Sequence, residues 1–388
     1  MSCSIVGWAH TRFGKLLEDD IESLIGRVAT AAVADAGLTP RDIDAIYLGV
    51  MNNGFSRQDF MAGMVSQADP AFRFTPATRV ENACATGSAA IHSGLSFIGA
   101  GRGRFVLVIG AEKMTATPLN EVSDILLGAS YRKEEDCVDG GFAGIFGRIA
   151  EAYFAKYGDC SDALAKIAAK NHRNAVDNPF AHMRKDLGYD FCRTVSDDNP
   201  YVAGLLRRTD CSLVSDGAAA VVLTDEKTAS AMPRAVRFRA AVQVNDYLPL
   251  SKRSMTAFEG AAGAWGKALQ SSSLRLDDLS FVETHDCFTI AELMEYEAMG
   301  LTPEGKGTTA IEEGWTERSG RLPVNRSGGL KAKGHPIGAT GVSMHAIAAM
   351  QLLGEAGAMQ LPNVKLGGVF NMGGAAVANY VSILERQR

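Results

Sequence analysis

Short apolar runs recur along the chain at residues 45–50, 105–109, 219–223, 281–283 and 364–370. Several carry apolar side chains at consecutive positions, the pattern of strands covered on both faces. Between them lie longer amphipathic or wholly apolar stretches, such as 21–36 and 163–171, with the spacing of helices. Strands alternating with helices in this way predict an α/β protein built in layers around a covered sheet.

The pattern also repeats. Ala85-Thr86-Gly87 returns as Ala339-Thr340-Gly341, and each copy follows a loop and opens an apolar helix. The first helix carries Ile91, Leu95 and Ile98, and the second carries Val342, Ala346, Ala349 and Leu353. Each then runs through a glycine-containing turn into an apolar strand. Upstream, Asp42-Ile43-Asp44-Ala45-Ile46 parallels Asp278-Leu279-Ser280-Phe281-Val282. These matches predict two similar halves, 1–228 and 229–388. Residues from about 115 to 212 fit neither half, being richer in charge and in turn signals such as Asp139-Gly140-Gly141, Asn178-Pro179 and Asn199-Pro200. They read as an insertion in the first half that forms a lid or binding lobe.

Composition narrows the function. The 388 residues suffice for two or three domain-sized units and need no metal or disulfide staple. With 39 basic and 44 acidic residues, the net charge of -5 offers no footprint for nucleic acid. No apolar run is long enough for a membrane span. The termini show neither a secretory signal nor a peroxisomal Ser-Lys-Leu address, so a cytoplasmic protein is expected. The seven cysteines include no Cys-x-x-Cys pair, which argues against a zinc ribbon or a disulfide framework.

Four segments could carry chemistry. Cys84, in Asn82-Ala83-Cys84-Ala85-Thr86-Gly87-Ser88, stands before the first repeat helix. Small neighbours and the helix N-terminus would expose the sulfur and lower its pKa; a buried structural cysteine is the alternative. His335, in Gly334-His335-Pro336-Ile337-Gly338, occupies the corresponding turn of the second half. Superposed repeats would bring it opposite Cys84 as the base a thiol nucleophile needs. His285-Asp286-Cys287-Phe288 follows a strand and precedes a helix, where open α/β sheets place their sites; it also reads as a helix-entry loop capped by Asp286 or Thr289. Asn371-Met372-Gly373-Gly374-Ala375 could offer backbone N–H groups to an oxyanion, or simply turn between strands. His92, His172 and His345 fall within helical patterns and read as packing or surface residues.

These segments together with Ser215-Asp216-Gly217-Ala218-Ala219-Ala220, Lys170-Asn171-His172-Arg173-Asn174 and Asn178-Pro179 resemble the thiolase superfamily. The likeness is narrower still to sterol-carrier-protein-2-type thiolases and acetyl-CoA acetyltransferases, without the appended sterol-carrier domain. The resemblance implies a five-layer α/β/α/β/α fold of two similar halves with an inserted loop domain. It implies cleavage of 3-ketoacyl-CoA by CoA, or the reverse Claisen condensation, within lipid and fatty acid metabolism. Carried over by position, Cys84 is the acyl-accepting nucleophile and His335 the histidine that activates it. His285 and His335 hold the thioester oxygen. The backbone N–H groups of Cys84 and Gly373 form a second oxyanion hole. Asn371 stands where ordinary thiolases have the cysteine of a Cys-x-Gly motif, which makes it a substrate-binding residue and passes the acid/base role to Cys287.

The resemblance implies no metal and no prosthetic group, with CoA and acyl-CoA as substrates. It implies a homodimer or a dimer of dimers, for which strand 105–109 would supply a free edge, and a partner protein with an OB-fold is compatible with it. The rivals are a decarboxylating ketoacyl-synthase-type enzyme and a non-catalytic scaffold that binds acyl-CoA or lipid. Cys287 argues against the first, and the presence of Cys84 and His335 against the second.

Overall fold

The computed structural model describes residues 3–387; the extreme terminal residues Met1, Ser2 and Arg388, on which the targeting expectations partly rest, lie outside them. The first half runs β1 (Cys3–His10), α1 (Ile21–Asp35), β2 (Ala45–Gly49), β3 (Ala77–Val80), α2 (Thr86–Gly99) and β4 (Phe105–Glu112). An excursion follows, containing α3 (Leu119–Leu127), α4 (Gly141–Tyr157), α5 (Ser161–Ala175) and the small hairpin β5 (Tyr201–Ala203) and β6 (Leu206–Arg207). The half closes with β7 (Gly217–Asp225). The second half runs β8 (Val236–Asn245), α6 (Glu259–Ser272), β9 (Phe281–Glu283), α7 (Thr289–Ala298), α8 (Ile337–Leu353), β10 (Leu366–Gly373) and β11 (Ala378–Arg386).

Strand order exposes the duplication. The first half is ordered β3-β2-β4-β7-β1 and the second β9-β10-β11-β8. A parallel bridge from Val282 to Val324 supplies the counterpart of β3. The first half has parallel pairs β2–β3 and β2–β4 and the second the parallel pair β9–β10, and in each half two further pairs run antiparallel. Even the entry turns match: Asp42 accepts from the Thr39 N–H and Asp278 from the Arg275 N–H. One step on, the Asp44 and Ser280 N–H groups donate to the Phe105 and Leu366 carbonyls. The halves join edge to edge through only two residue pairs, Ser4 with Arg237 and Ile5 with Val236.

Helices α1 and α6 flank the sheets, each packed against strands of its own half. Helix α1 begins with a reciprocal cap between Asp20 and Ser23 and turns Leu24, Ile25 and Val28 inward. Helices α2 and α8 form the middle layer. Every residue of α8 from Ile337 to Leu352 is buried, as an apolar helix between two sheets must be. The two middle helices meet where their repeated glycines lie. A Cβ at Gly341 would stand 2.3 Å from the Ser88 nitrogen, and one at Gly87 would stand 2.7 Å from the Val342 nitrogen. The layers therefore form the expected α/β/α/β/α fold.

One expectation changes. Strand β4 is not an edge, because β7 returns after the excursion and pairs antiparallel along its length; β3 is the edge of the first half, while β9 is bordered by the segment around Val324. The excursion is the inserted segment expected, and it is bound to the second half. Its helix α5 docks on the second half through buried polar contacts: Lys170 with Glu292, Asn171 Nδ2 with Asp286 (2.8 Å) and Glu292 (2.6 Å), and Asn174 with the Asn325 carbonyl (3.1 Å). No helix among the described residues is long and apolar enough to cross a membrane.

Gly341→Ala should lower unfolding stability by about 2–3 kcal/mol, since its methyl has no room against backbone. Gly99→Ala, at the open end of α2 with nothing within 4 Å, should be neutral or add up to about 1 kcal/mol. Urea titrations of both variants check the contrast; equal effects would remove the argument from backbone contact.

Candidate active site

Between β3 and α2 the chain turns so tightly that Ala83 takes a left-handed backbone, φ 48°, a conformation an L-alanine adopts only when its surroundings force it. The Asn82 N–H donates to Thr86 Oγ1 (2.8 Å), and the Ala85 and Thr86 N–H groups return to the Asn82 and Ala83 carbonyls. This turn aims Cys84 at the second half. There, Asp286 accepts from the Leu330 N–H (2.6 Å) and the Lys331 N–H (3.2 Å), fixing a π-type turn over Gly329–Lys333 that delivers His335. Glu112 ties the exit of β2 to the start of α8, accepting from the N–H groups of Met51, Asn52 and Gly338 at 2.9–3.0 Å. Burial pushes its carboxyl up to about 7.

The result is a close triad. One side-chain donor atom from each of Cys84, His285 and His335 lies within 4.8 Å of the others, all three residues buried. The imidazole rings stand edge to face, 5.1 Å apart. Their hydrogen bonds assign opposite tautomers. Thr340 Oγ1 donates to the Pro336 carbonyl (3.0 Å) and so accepts from His335 Nδ1–H (2.7 Å), which leaves His335 Nε2 bare. Asn371 is oriented by Ser88 Oγ, which donates to its Oδ1 (2.8 Å), and by the Cys84 carbonyl, which accepts from its Nδ2 (3.1 Å). The same Nδ2 donates to His285 Nδ1 (2.8 Å), so His285 carries its hydrogen on Nε2. Neither Nε2 has a protein partner. One histidine presents an acceptor and the other a donor. A metal shared by the triad would need His285 Nε2 bare, which this assignment forbids.

Burial dominates the titration of all three groups. It pushes the Cys84 thiol up to about 12, with the Glu81 and Glu112 carboxylates adding to the rise and the Gly374 N–H opposing it. It lowers His335 to about 3 and His285 well below the ordinary histidine value. The resting pair is therefore a neutral thiol and a neutral imidazole. This departs from the sequence expectation of an exposed, acidified thiol: Cys84 is only 4% exposed, and desolvation outweighs the helix N-terminus. Gly373, the last residue of β10, and Gly374 form the turn into β11 beside the sulfur. Cys287 lines the same cavity as Cys84 and His335, its thiol held well above the ordinary value by burial and by Cys84. That cavity, about 250 Å³, takes much of its wall from α3 and α4. Sequence reasoning named none of those wall residues; an apolar face on 119–127 was the available signal. His92, His172 and His345 are absent from the wall.

Comparison with known proteins matches two family models to the chain. Residues 3–187 match the family model described as thiolase, N-terminal domain, and 242–386 match thiolase C-terminal domain-like. An acetyl-CoA acetyltransferase of Methanothermobacter thermautotrophicus is 34% identical over 387 residues, covering 99% of each chain. Sterol carrier protein 2 of Oryctolagus cuniculus is 34% identical over 322 residues, 78% of this chain and 57% of that one. Among solved structures, one titled "Ltp2-ChsH2(DUF35) aldolase" superposes with a TM-score of 0.84 at 21% identity, covering 100% of this chain and 98% of that one. An acetyl-CoA acetyltransferase from Syntrophomonas wolfei gives 0.73 at 17% identity, covering 100% and 99%.

The neutral resting pair has a spectroscopic consequence. The 240 nm thiolate absorbance that distinguishes the protein from its Cys84→Ala variant should stay flat from pH 5 to 9, because the thiol pKa lies above that window and the His335 pKa below it. A step below pH 7 would mean a preformed thiolate–imidazolium pair.

Proposed function

The chain belongs to the thiolase family, and from that premise we propose that it is an acyl-CoA C-acyltransferase working through an acyl thioester on Cys84. It cleaves a 3-ketoacyl-CoA with CoA, or joins two acyl-CoA molecules in the reverse Claisen condensation. One observation carries the reading: a thiol and two imidazoles of opposite tautomer converge in a buried site, with one ligating atom of each within 4.8 Å of the others.

In this reading His335 Nε2 takes the Cys84 proton as the sulfur attacks the keto carbon. Because both groups rest neutral, charge develops only when substrate is present to share it. The keto oxygen turns toward the backbone N–H groups around Cys84 and the 373–374 turn. The carbon–carbon bond then breaks, leaving the acyl group on Cys84 and an acetyl-CoA enolate. The thioester oxygen of that enolate accepts from His285 Nε2–H, the only tautomer able to donate there. Cys287 protonates the enolate carbon; a thiol whose pKa is raised is still protonated at neutral pH and so serves as the acid. CoA finally gives its thiol proton to the Cys287 thiolate and takes the acyl group, and Cys84 leaves as a thiolate that recovers its proton from His335. Asn371 acts through His285, fixing its tautomer as well as touching the nucleophile's own carbonyl.

The wider reading divides the chain at residue 228, places it in the cytoplasm and in lipid metabolism, and makes it a homodimer or dimer of dimers through the free β3 edge. A partner protein with an OB-fold belongs to it as well, supported by a structural neighbour, the Ltp2-ChsH2(DUF35) aldolase, that is itself a pair of components. A decarboxylating synthase would leave the Cys287 thiol without a task, and a scaffold would leave the opposed tautomers without one.

Incubation with an acyl-CoA donor should add one acyl mass to the peptide containing Cys84 and to no other cysteine peptide; labelling of Cys287 instead would reverse the roles. Cys287→Ala should still acylate at Cys84 but lose roughly 10²–10⁴-fold in exchange of acetyl-CoA methyl protons with deuterium. Near-normal exchange in Cys287→Ala, with loss in Asn371→Ala or His285→Ala, would assign the proton to the other side of the site.

A further inference from the structure

The cavity over Cys84 has a chemistry of its own. Its wall is Val122 and Leu126 of α3, Phe142 of α4, Val202 of β5, and Phe288 and Ile337 from the second half. Phe146 stacks on Phe288 with ring centroids 4.4 Å apart, so the aromatic side is backed by packed core and cannot yield cheaply. Beyond the catalytic groups, the polar side chains on the wall are two hydroxyls, Ser123 and Ser212, and the Cys211 thiol; none is charged.

Two parts of an acyl-CoA could enter such a space. The pantetheine arm brings amide groups, and burying amides among side chains that offer so few partners is costly. A hydrocarbon chain brings no such demand. Size separates the candidates further. An apolar cavity of about 150 Å³ accommodates benzene, so about 250 Å³ holds roughly ten carbon atoms. An acetyl group would occupy a corner and leave the rest of an apolar space unfilled.

Resting on the reading that Cys84 is acylated, we propose that the acyl group it carries is a medium-length hydrocarbon chain of roughly eight to ten carbons, lodged against the wall built by the inserted segment. The substrates are then medium-chain 3-ketoacyl-CoA esters, acetoacetyl-CoA is a poor one, and α3 and α4 are the elements that set chain length. Val122, Leu126 and Phe142 are the specificity residues. Ala143, which lines the same wall with only a methyl group, marks where the cavity is easiest to fill.

The test is the rate of Cys84 acylation, followed by intact mass, from straight-chain saturated acyl-CoA donors of two to fourteen carbons. Each added methylene should raise the rate constant per donor concentration about fourfold until the cavity is full near ten carbons, after which the rise stops. Ala143→Phe should cut the ratio of decanoyl to acetyl rates by about tenfold or more, and Phe142→Ala should move the maximum to longer chains. If either variant fails to fold, the wild-type series decides alone. A maximum at acetyl, or rates independent of length, overturns the proposal while leaving the acyl-Cys84 reading intact. No acylation from any donor overturns the acyl-Cys84 reading, and this proposal with it.

Discussion

The contact between α2 and α8 sets the scale of everything at the site. Backbone meets backbone there because Gly87 and Gly341 carry no side chain, and each Cα points at the other helix's peptide nitrogens. Since Cys84 sits three residues before one glycine and His335 six residues before the other, the helix separation fixes how far apart nucleophile and base can stand. Neighbouring strands conform to the same limit. A Cβ at Gly110 would fall 2.3 Å from the Gly338 carbonyl, so β4 also presses on the start of α8. A helix pair held apart by ordinary side chains would sit 8–10 Å between axes, too loose for these turns to converge.

Around that contact the protein solves a problem of buried polarity without buried charge. Two imidazoles, two thiols and a carboxamide share a space with almost no solvent, where ionised groups would each cost several kcal/mol. Neutral groups can be stored there cheaply if their hydrogen bonds are satisfied on the side away from substrate. Thr340 and Asn371 do this from opposite directions, one accepting a hydrogen and the other giving one. Both Nε2 atoms are left without a protein partner, and His335 lines the cavity itself, so unpaired polarity is held at the site for whatever enters it.

How much of this could be read from the chain depended on where the physics was local. The Ala-Thr-Gly repeat was legible because close helix packing demands glycine at a fixed register, and it led directly to Cys84 and His335. Strand β8 was not, since arginine and glutamine break its apolar positions and leave only Ala240-Ala241-Val242 in succession. Strand β4 was mistaken for an edge because its partner β7 lies beyond the whole excursion. The thiol's high pKa was hidden for a related reason. The helix N-terminus is visible in the local sequence, whereas the burial that outweighs it comes from both halves and the excursion together. Likewise Lys170, Asn171 and Asn174 stood out as a motif, but only their buried contacts with α7 and its neighbours explain why they are there.

The duplicated threonine carries a consequence for how such a molecule can diversify. Thr86 accepts the Asn82 N–H and closes the nucleophile's turn, while its counterpart Thr340 orients an imidazole. Two identical halves meeting at the same glycine contact would set like against like, thiol facing thiol or base facing base, and neither arrangement transfers a proton. Joining the halves in one chain frees each turn to specialise while the shared backbone frame stays fixed. Symmetry is thus kept where geometry must be shared and given up where chemistry must be divided, and a change at either glycine would be felt by both specialised turns at once.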